Sequence, residues 1–335
     1  MRPPRQYDQR MDLDVLFLGT AGAVPTARRA PAATLVRRGG ERILIDCAEG
    51  TQRQLLRSTA GLADIDLVLL THFHADHVLG LPGMLKTFAL RDRETPLRIA
   101  GPSGLHGLMA VFGRIVGRLP YPVELVEMEP GQALQIEDGR IDAFATSHDL
   151  ASLGYALAEN IRPGRFDVEA ARRAGVPDGP LFGMLQHGQD VTLAGGSTVR
   201  SADVVGSPRP GRRVVFTGDT RPCAATGEAA AAADLLVHEA TFLEEDAERA
   251  AATGHSTAAQ AARLAAEAQV TLLALTHLST RYTGRQVRDE GTAVFERTVV
   301  PRDFDIIEVP LAERGAPRLV RADRAAVQTA TVEGA

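Results

Sequence analysis

Between Thr71 and His77 the chain reads T-H-F-H-A-D-H, directly after the apolar run Ile65 to Leu70. Three imidazoles and a carboxylate gain nothing from a hydrophobic core, where unpaired polar groups cost free energy. Their natural common partner is a metal ion. In an extended loop His72 and His74 alternate and can point to the same side, while Asp76 and His77 follow where the chain must turn. One loop can therefore feed two adjacent ions, His72 with His74 on one and Asp76 with His77 on the other, if distant segments supply the remaining ligands.

Such segments exist. Ser147-His148-Asp149 follows the run Ile141 to Ala145, Gly218-Asp219-Thr220 ends Arg213 to Thr217, and Thr276-His277 ends Val270 to Leu275. His72, His74, His77, His148, His238, His255 and His277 all stand at the ends of apolar runs or at a helix start, and only His106 and His187 fall elsewhere. This donor set suffices for two divalent ions, with Asp219 as the bridge because one carboxylate has an oxygen for each. Mixed imidazole and carboxylate ligation suits Zn²⁺, with Mn²⁺ and other divalent ions left open. Two ions about 3.5–4 Å apart stabilise both the attacking and the leaving oxygens of an in-line displacement. That favours hydrolysis of a phosphodiester, ester or amide. With no cysteine in the set, a purely structural zinc site fits badly.

Gly254-His255-Ser256-Thr257 precedes an Ala-rich helical pattern, and Thr257 with Gln260 has capping-box spacing. His255 thus sits near a helix N-terminus, where anions are favoured, and can donate a hydrogen bond or a proton to a phosphate or leaving oxygen. In His238-Glu239-Ala240-Thr241-Phe242, His238 reads as a strand-end support rather than a ligand, and Glu239 can orient a neighbouring imidazole. Arginines gather at Arg28 and Arg29, Arg162 and Arg165, Arg209 to Arg213, and Arg281 to Arg288. The clusters at Arg213 and Arg281 lie near proposed ligands, where a polyanionic substrate would use them.

The elements that must position these groups are short. Apolar runs of strand length recur at Val15 to Leu18, Arg42 to Ile45, Ile65 to Leu70, Leu97 to Ala100, Val123 to Val126, Ile141 to Ala145, Val214 to Thr217, Leu235 to His238 and Thr271 to Thr276. Helical patterns at Thr51 to Arg57, Gly80 to Leu90, Gly104 to Val116 and Thr257 to Ala268 interleave with them, which is α/β alternation. Leu67 to His72 and Leu272 to His277 echo each other, hinting at two similar halves. Between Asn160 and Ala194 the regularity breaks into a Pro-, Gly- and Arg-rich excursion. The ends, Met1 to Met11 and Glu313 to Ala335, read as tails.

The 335 residues fit one large domain with an insertion. A net charge of -5 excludes a uniformly basic nucleic-acid binder and leaves a basic face on an acidic body open. Cys47 and Cys223 make neither a disulfide framework nor a zinc knuckle. No apolar stretch reaches membrane-spanning length and the N-terminus has no signal-type apolar core, so a cytoplasmic protein is expected.

Taken together, His72-x-His74-x-Asp76-His77 with His148, Asp219 and His277 is similar to the metal signature of the metallo-β-lactamase superfamily, shared by many hydrolases. Phe17-Leu18-Gly19-Thr20, Asp46-Cys47-Ala48-Glu49-Gly50-Thr51-Gln52, His238 to Phe242 and Gly254 to Thr257 resemble ribonuclease Z in order and spacing, over Leu13 to about Leu311. Arg162 to Phe166 and Gly175 to Gly183 resemble that family's arm, which grips the tRNA elbow. The resemblance implies an αββα sandwich spanning 12–312, an inserted flexible arm at 160–194, two Zn²⁺ per subunit and a homodimer. It further implies removal of the 3′ trailer of precursor tRNA with Asp76 and His255 as catalytic groups. A small-molecule phosphodiesterase or other binuclear hydrolase of the superfamily is the alternative. Where the family carries P-x-K-x-R-N, this chain has Pro25-Thr26-Ala27-Arg28-Arg29-Ala30, with alanine in place of the Lys and the Asn.

Overall fold

The computed structural model describes residues 13–62 and 65–323. Strands β1 (Leu13–Gly19), β2 (Ala33–Arg38) and β3 (Glu41–Ile45) lead through helix α1 (Thr51–Arg57) to β4 (Leu67–Leu69). Then follow α2 (Ala75–Val78), α3 (Leu81–Leu90), β5 (Leu97–Gly101), α4 (Leu105–Val116) and β6 (Val123–Glu127). A second run has β7 (Ala133–Ile136), β8 (Gly139–Ala145) and β9 (Leu153–Glu159), then the inserted α5 (Val168–Arg173), α6 (Pro180–Gln186), β10 (Val191–Thr192) and β11 (Thr198–Val199). It continues with β12 (Arg213–Phe216), α7 (Ala224–Ala230), β13 (Leu235–Glu239), α8 (Ala247–Ala252), α9 (Ala258–Glu267) and β14 (Leu272–Thr276). Helix α10 (Gly284–Val294), β15 (Thr298–Val299), β16 (Ile306–Glu308) and β17 (Arg318–Val320) complete it.

The strands form two large sheets, β17-β16-β1-β2-β3-β4-β5-β6 and β15-β14-β13-β12-β9-β8-β7. Every expected strand run lies in one of them. In each, a block of parallel strands (β3 to β6, β12 to β15) holds the continuous apolar runs. That follows because parallel strands are buried on both faces and cannot alternate. Leu16, Leu18, Leu44 and Val68 pack under α1, α3 and α4, whereas Leu236 and Leu273 pack under the alanines of α9. The opposite-facing Val15, Phe17, Ile43 and Leu69 are buried as well, so both sheet faces are covered in an αββα sandwich. Tyr155 of β9, fully buried, donates its hydroxyl to Leu70 O at 2.7 Å and stitches the sheets together beside the β4 end.

The excursion is larger than the 160–194 expected. A compact unit comprises Ile136–Arg140 and Ala158–Arg212. It has its own small core of Ala171, Val176, Leu185, Val191, Val199 and Val204, and the last two lie beyond the Pro- and Gly-rich stretch that marked it. The tail expected from Glu313 also begins later. β17 pairs antiparallel with β16, Glu308 opposite Arg318, and three residues are too few to register as a pattern. Residues 1–11 and 324–335 lie outside the described residues. No helix among the described residues is long and apolar enough to cross a membrane.

Candidate metal centre

The β4 end delivers Thr71 and His72, and α2, whose N-cap is His74, turns Asp76 and His77 back toward it. His72 Nε2 and His148 Nε2 approach His74 Nδ1 to 3.0 and 3.1 Å. On the other side, Asp76 Oδ2 lies 3.6 Å from His77 Nε2 and 3.4 Å from His277 Nε2. Asp219 joins the two groups: Oδ2 is 3.8 Å from His72 Nε2 and 3.4 Å from His77 Nε2, and Oδ1 is 3.4 Å from His277 Nε2. Two loop glycines let the segments close up. At Gly218 (φ 63°) a Cβ would lie 2.7 Å from Thr71 Cβ, and at Gly254 (φ 81°) one would lie 2.6 Å from His148 Nδ1.

The outer hydrogen bonds decide which ring nitrogens carry protons. Gly254 O can only accept, so His148 Nδ1 donates to it at 2.9 Å. His77 Nδ1 likewise donates to the Asp46 carboxylate at 2.7 Å. Thr71 and Thr241 spend their hydroxyl protons on Asp46 and Glu239, so each accepts from the imidazole beside it, His72 Nδ1 at 3.1 Å and His277 Nδ1 at 2.9 Å. All four rings therefore present an Nε2 lone pair inward. His77 Nε2 and Asp219 Oδ1 are buried without a hydrogen-bond partner among the described residues, a costly arrangement unless a cation meets them. The donor set fits two divalent ions.

The electrostatics agree. Burial favours neutral His77, yet the carboxylates of Asp219 and Asp46 on either side push its pKa well up; the same two carboxylates favour a metal cation, which binds the neutral ring by displacing that proton. Burial and the charge of His77 hold His72 neutral. Burial would raise the pKa of Asp76, but the hydrogen bond to His277 and the nearness of the His77 and His277 imidazoles outweigh it and keep the carboxylate ionised.

His255 stands beside this group, its ring centroid 5.4 Å from that of His148 and 5.5 Å from that of His277. Its Nδ1 is bonded to Glu239 Oε1 at 2.8 Å, so Glu239 does orient a neighbouring imidazole. Burial lowers its pKa, but the hydrogen bond and charge of Glu239 prevail and raise it to about 9. Thr257 and Gln260 form the capping box that starts α9. His238 is buried in β13 with Nδ1 on Glu239 O at 2.7 Å, outside the converging set.

Asp46, Thr71 and Thr241 were missed as site residues. Asp46 stands at a strand end like the others, immediately after Ile45, but a search weighted toward histidine passes over it. Asp46 and His277 both adopt left-handed backbone, φ 57° each, just after β3 and β14. That conformation is costly for residues other than glycine and concentrates at functional sites. Arg212 and Arg213, whose cluster was expected to serve a polyanionic substrate near Asp219, are engaged by protein groups. Arg212 is buried in a two-pronged pair with Glu159 at 2.7 and 2.8 Å, and Arg213 Nε donates to Ala229 O.

The profile of the Metallo-beta-lactamase superfamily matches residues 27–277. A protein named Ribonuclease Z from Haloferax volcanii is 49% identical over 308 residues, covering 90% of this chain and 97% of its own. Another of that name from Gemmatimonas aurantiaca is 46% identical, covering 90% and 98%. Among solved structures, the short form of human tRNase Z superposes with a TM-score of 0.64 at 27% identity, covering 89% of this chain and 100% of that one. A chain whose candidate donors stand after β4, β8, β12 and β14, matched in sequence almost from end to end, belongs to the metallo-β-lactamase superfamily and, within it, to the ribonuclease Z family.

Proposed function

We propose that this protein is a zinc-dependent endoribonuclease that removes the 3′ trailer of precursor tRNA and leaves a 3′-hydroxyl on the tRNA. The observation that carries the reading is the convergence of His72, His74 and His148 on one point and Asp76, His77 and His277 on another, with Asp219 reaching both. Relatives named Ribonuclease Z support the substrate class. Two bound ions would supply an activated water and offset phosphate charge.

The chain's own residues do the rest. Asp76 Oδ2, fixed by the Ala23 amide at 3.0 Å, takes the proton of the attacking water. Attack at phosphorus breaks its bond to the 3′ oxygen, which stays with the tRNA, and the trailer keeps the phosphate. His255, its Nδ1 engaged by Glu239, offers its Nε2 proton to the departing oxygen. The unit at 158–212 takes the role of the tRNA-gripping arm. A homodimer belongs to the same reading, supported by the exposed apolar side chains Leu56, Leu90, Val111 and Ile115 on α1, α3 and α4.

The test is cleavage of a 3′-extended precursor tRNA by zinc- or manganese-supplied protein, beside the same tRNA ending in CCA. A single cut near the discriminator base is expected. An uncut precursor together with hydrolysis of a small phosphodiester would replace this reading with a small-molecule one.

A further inference from the structure

The loop from Thr20 to Ala30 touches the metal ligands directly. Ala23, in left-handed backbone at φ 56°, donates its amide to Asp76 Oδ2 at 3.0 Å, and Gly22 N donates to Leu278 O, next to His277, at 3.0 Å. The loop's base is held from the opposite end of the chain. Asp303 accepts from Thr20 Oγ1 and Ala30 N, both at 2.7 Å, and from Gln54 Nε2 at 3.0 Å. Arg29, the cation kept in register with the family's loop, points inward and donates to Thr20 Oγ1 at 2.5 Å and Pro301 O at 3.0 Å. Asp303 in turn sits in a turn closed by the buried Asp305, which accepts from Arg302 N, Arg321 Nη1 and Ala322 N.

We propose that Asp303 is a positioning residue for Asp76: it fixes both ends of the Thr20–Ala30 loop so that the Ala23 amide holds the Asp76 carboxylate in its working orientation. The proposal rests on the metal-centre reading above. A non-glycine residue stays left-handed only where its surroundings over-determine it. Without the Asp303 bonds Ala23 relaxes and its amide leaves Oδ2, so the carboxylate keeps only its contacts with the His77 and His277 imidazoles and its orientation loosens. Asp303 touches neither substrate nor ligand and acts only through the loop.

The test compares wild type with Asp303→Ala, Thr20→Val and Thr20→Ser, all zinc-loaded. Three quantities are read: kcat and KM on a 3′-extended precursor tRNA, melting temperature, and the rate of zinc release to a chromogenic chelator. In Asp303→Ala and Thr20→Val, kcat should fall about tenfold with KM within about twofold, because small misplacements of a reacting group cost up to about 10²-fold. Zinc should leave faster in both, and Thr20→Ser, which keeps the hydroxyl, should behave as wild type. Wild-type kcat and zinc release in the folded variants would overturn the proposal, as would equal impairment of Thr20→Ser and Thr20→Val. If Asp303→Ala does not fold, the Thr20 pair decides. If wild type itself leaves the precursor uncut, the tRNA reading fails, and zinc release still judges the brace.

Discussion

The Asp46 carboxylate lies 2.7 Å from His77 Nδ1 and also accepts from Thr71 N and Oγ1, so a single buried side chain sets the proton position on two imidazoles. Such outer partners are worth about 10–100-fold in metal affinity. Asp46→Ala should lose zinc affinity by that factor, measured by competition with a chelator. Asp46→Asn, which tolerates left-handed backbone better than alanine, should lose less.

In the function proposed above, Asp76 combines the roles of ligand and base. Asp76→Ala should lower kcat by about 10²–10⁴-fold, the usual weight of a positioned general base, with the protein still folded and the other ligands in place. An unchanged rate in metal-replete protein would remove Asp76 from the mechanism.

His255 gives a pH signature in protein stripped of divalent ions. Its pKa in the folded chain, raised to about 9 chiefly by Glu239 against the pull of burial, exceeds the ordinary histidine value of about 6.5. The folded state therefore binds the proton more tightly than the unfolded one. The resulting stability is fully present below about pH 6.5 and is lost as pH rises toward 9. Melting temperature should fall across that window in wild type, and the fall should flatten in Glu239→Gln.

Glu159 and Arg212 form a buried two-pronged pair within the inserted unit, with side chains 9% and 4% exposed. Glu159→Ala removes the carboxylate that grips the buried Arg212 guanidinium through two hydrogen bonds and should destabilise by about 3–5 kcal/mol. Faster amide exchange within 158–212 would show it, with the sheets less affected.

The sequence made the strand ends legible because their runs are apolar, of strand length, and stop at polar residues of unusual type. It could not reveal the proton network. Thr71 and Thr241 look like ordinary strand-end threonines until their hydroxyls are seen between a carboxylate and an imidazole. Arg212 and Arg213 read as substrate-facing because a charge run carries no sign of which way it points, and here they point into protein. β17 escaped notice because an edge strand of three residues has no period. The left-handed Asp46 and His277 have no local signature, since tertiary contacts impose that backbone.

The donors divide between the two sheets. His72, His74, Asp76 and His77 follow β4, whereas His148, Asp219, His255 and His277 come from the second half. A growing polypeptide that has left the ribosome as far as β6 carries one loop of the centre and none of its bridge. The cutting chemistry comes into being only after His277 has emerged and the second sheet has closed on the first. In the function proposed above, no RNA can be cut by a chain whose second sheet is still unmade.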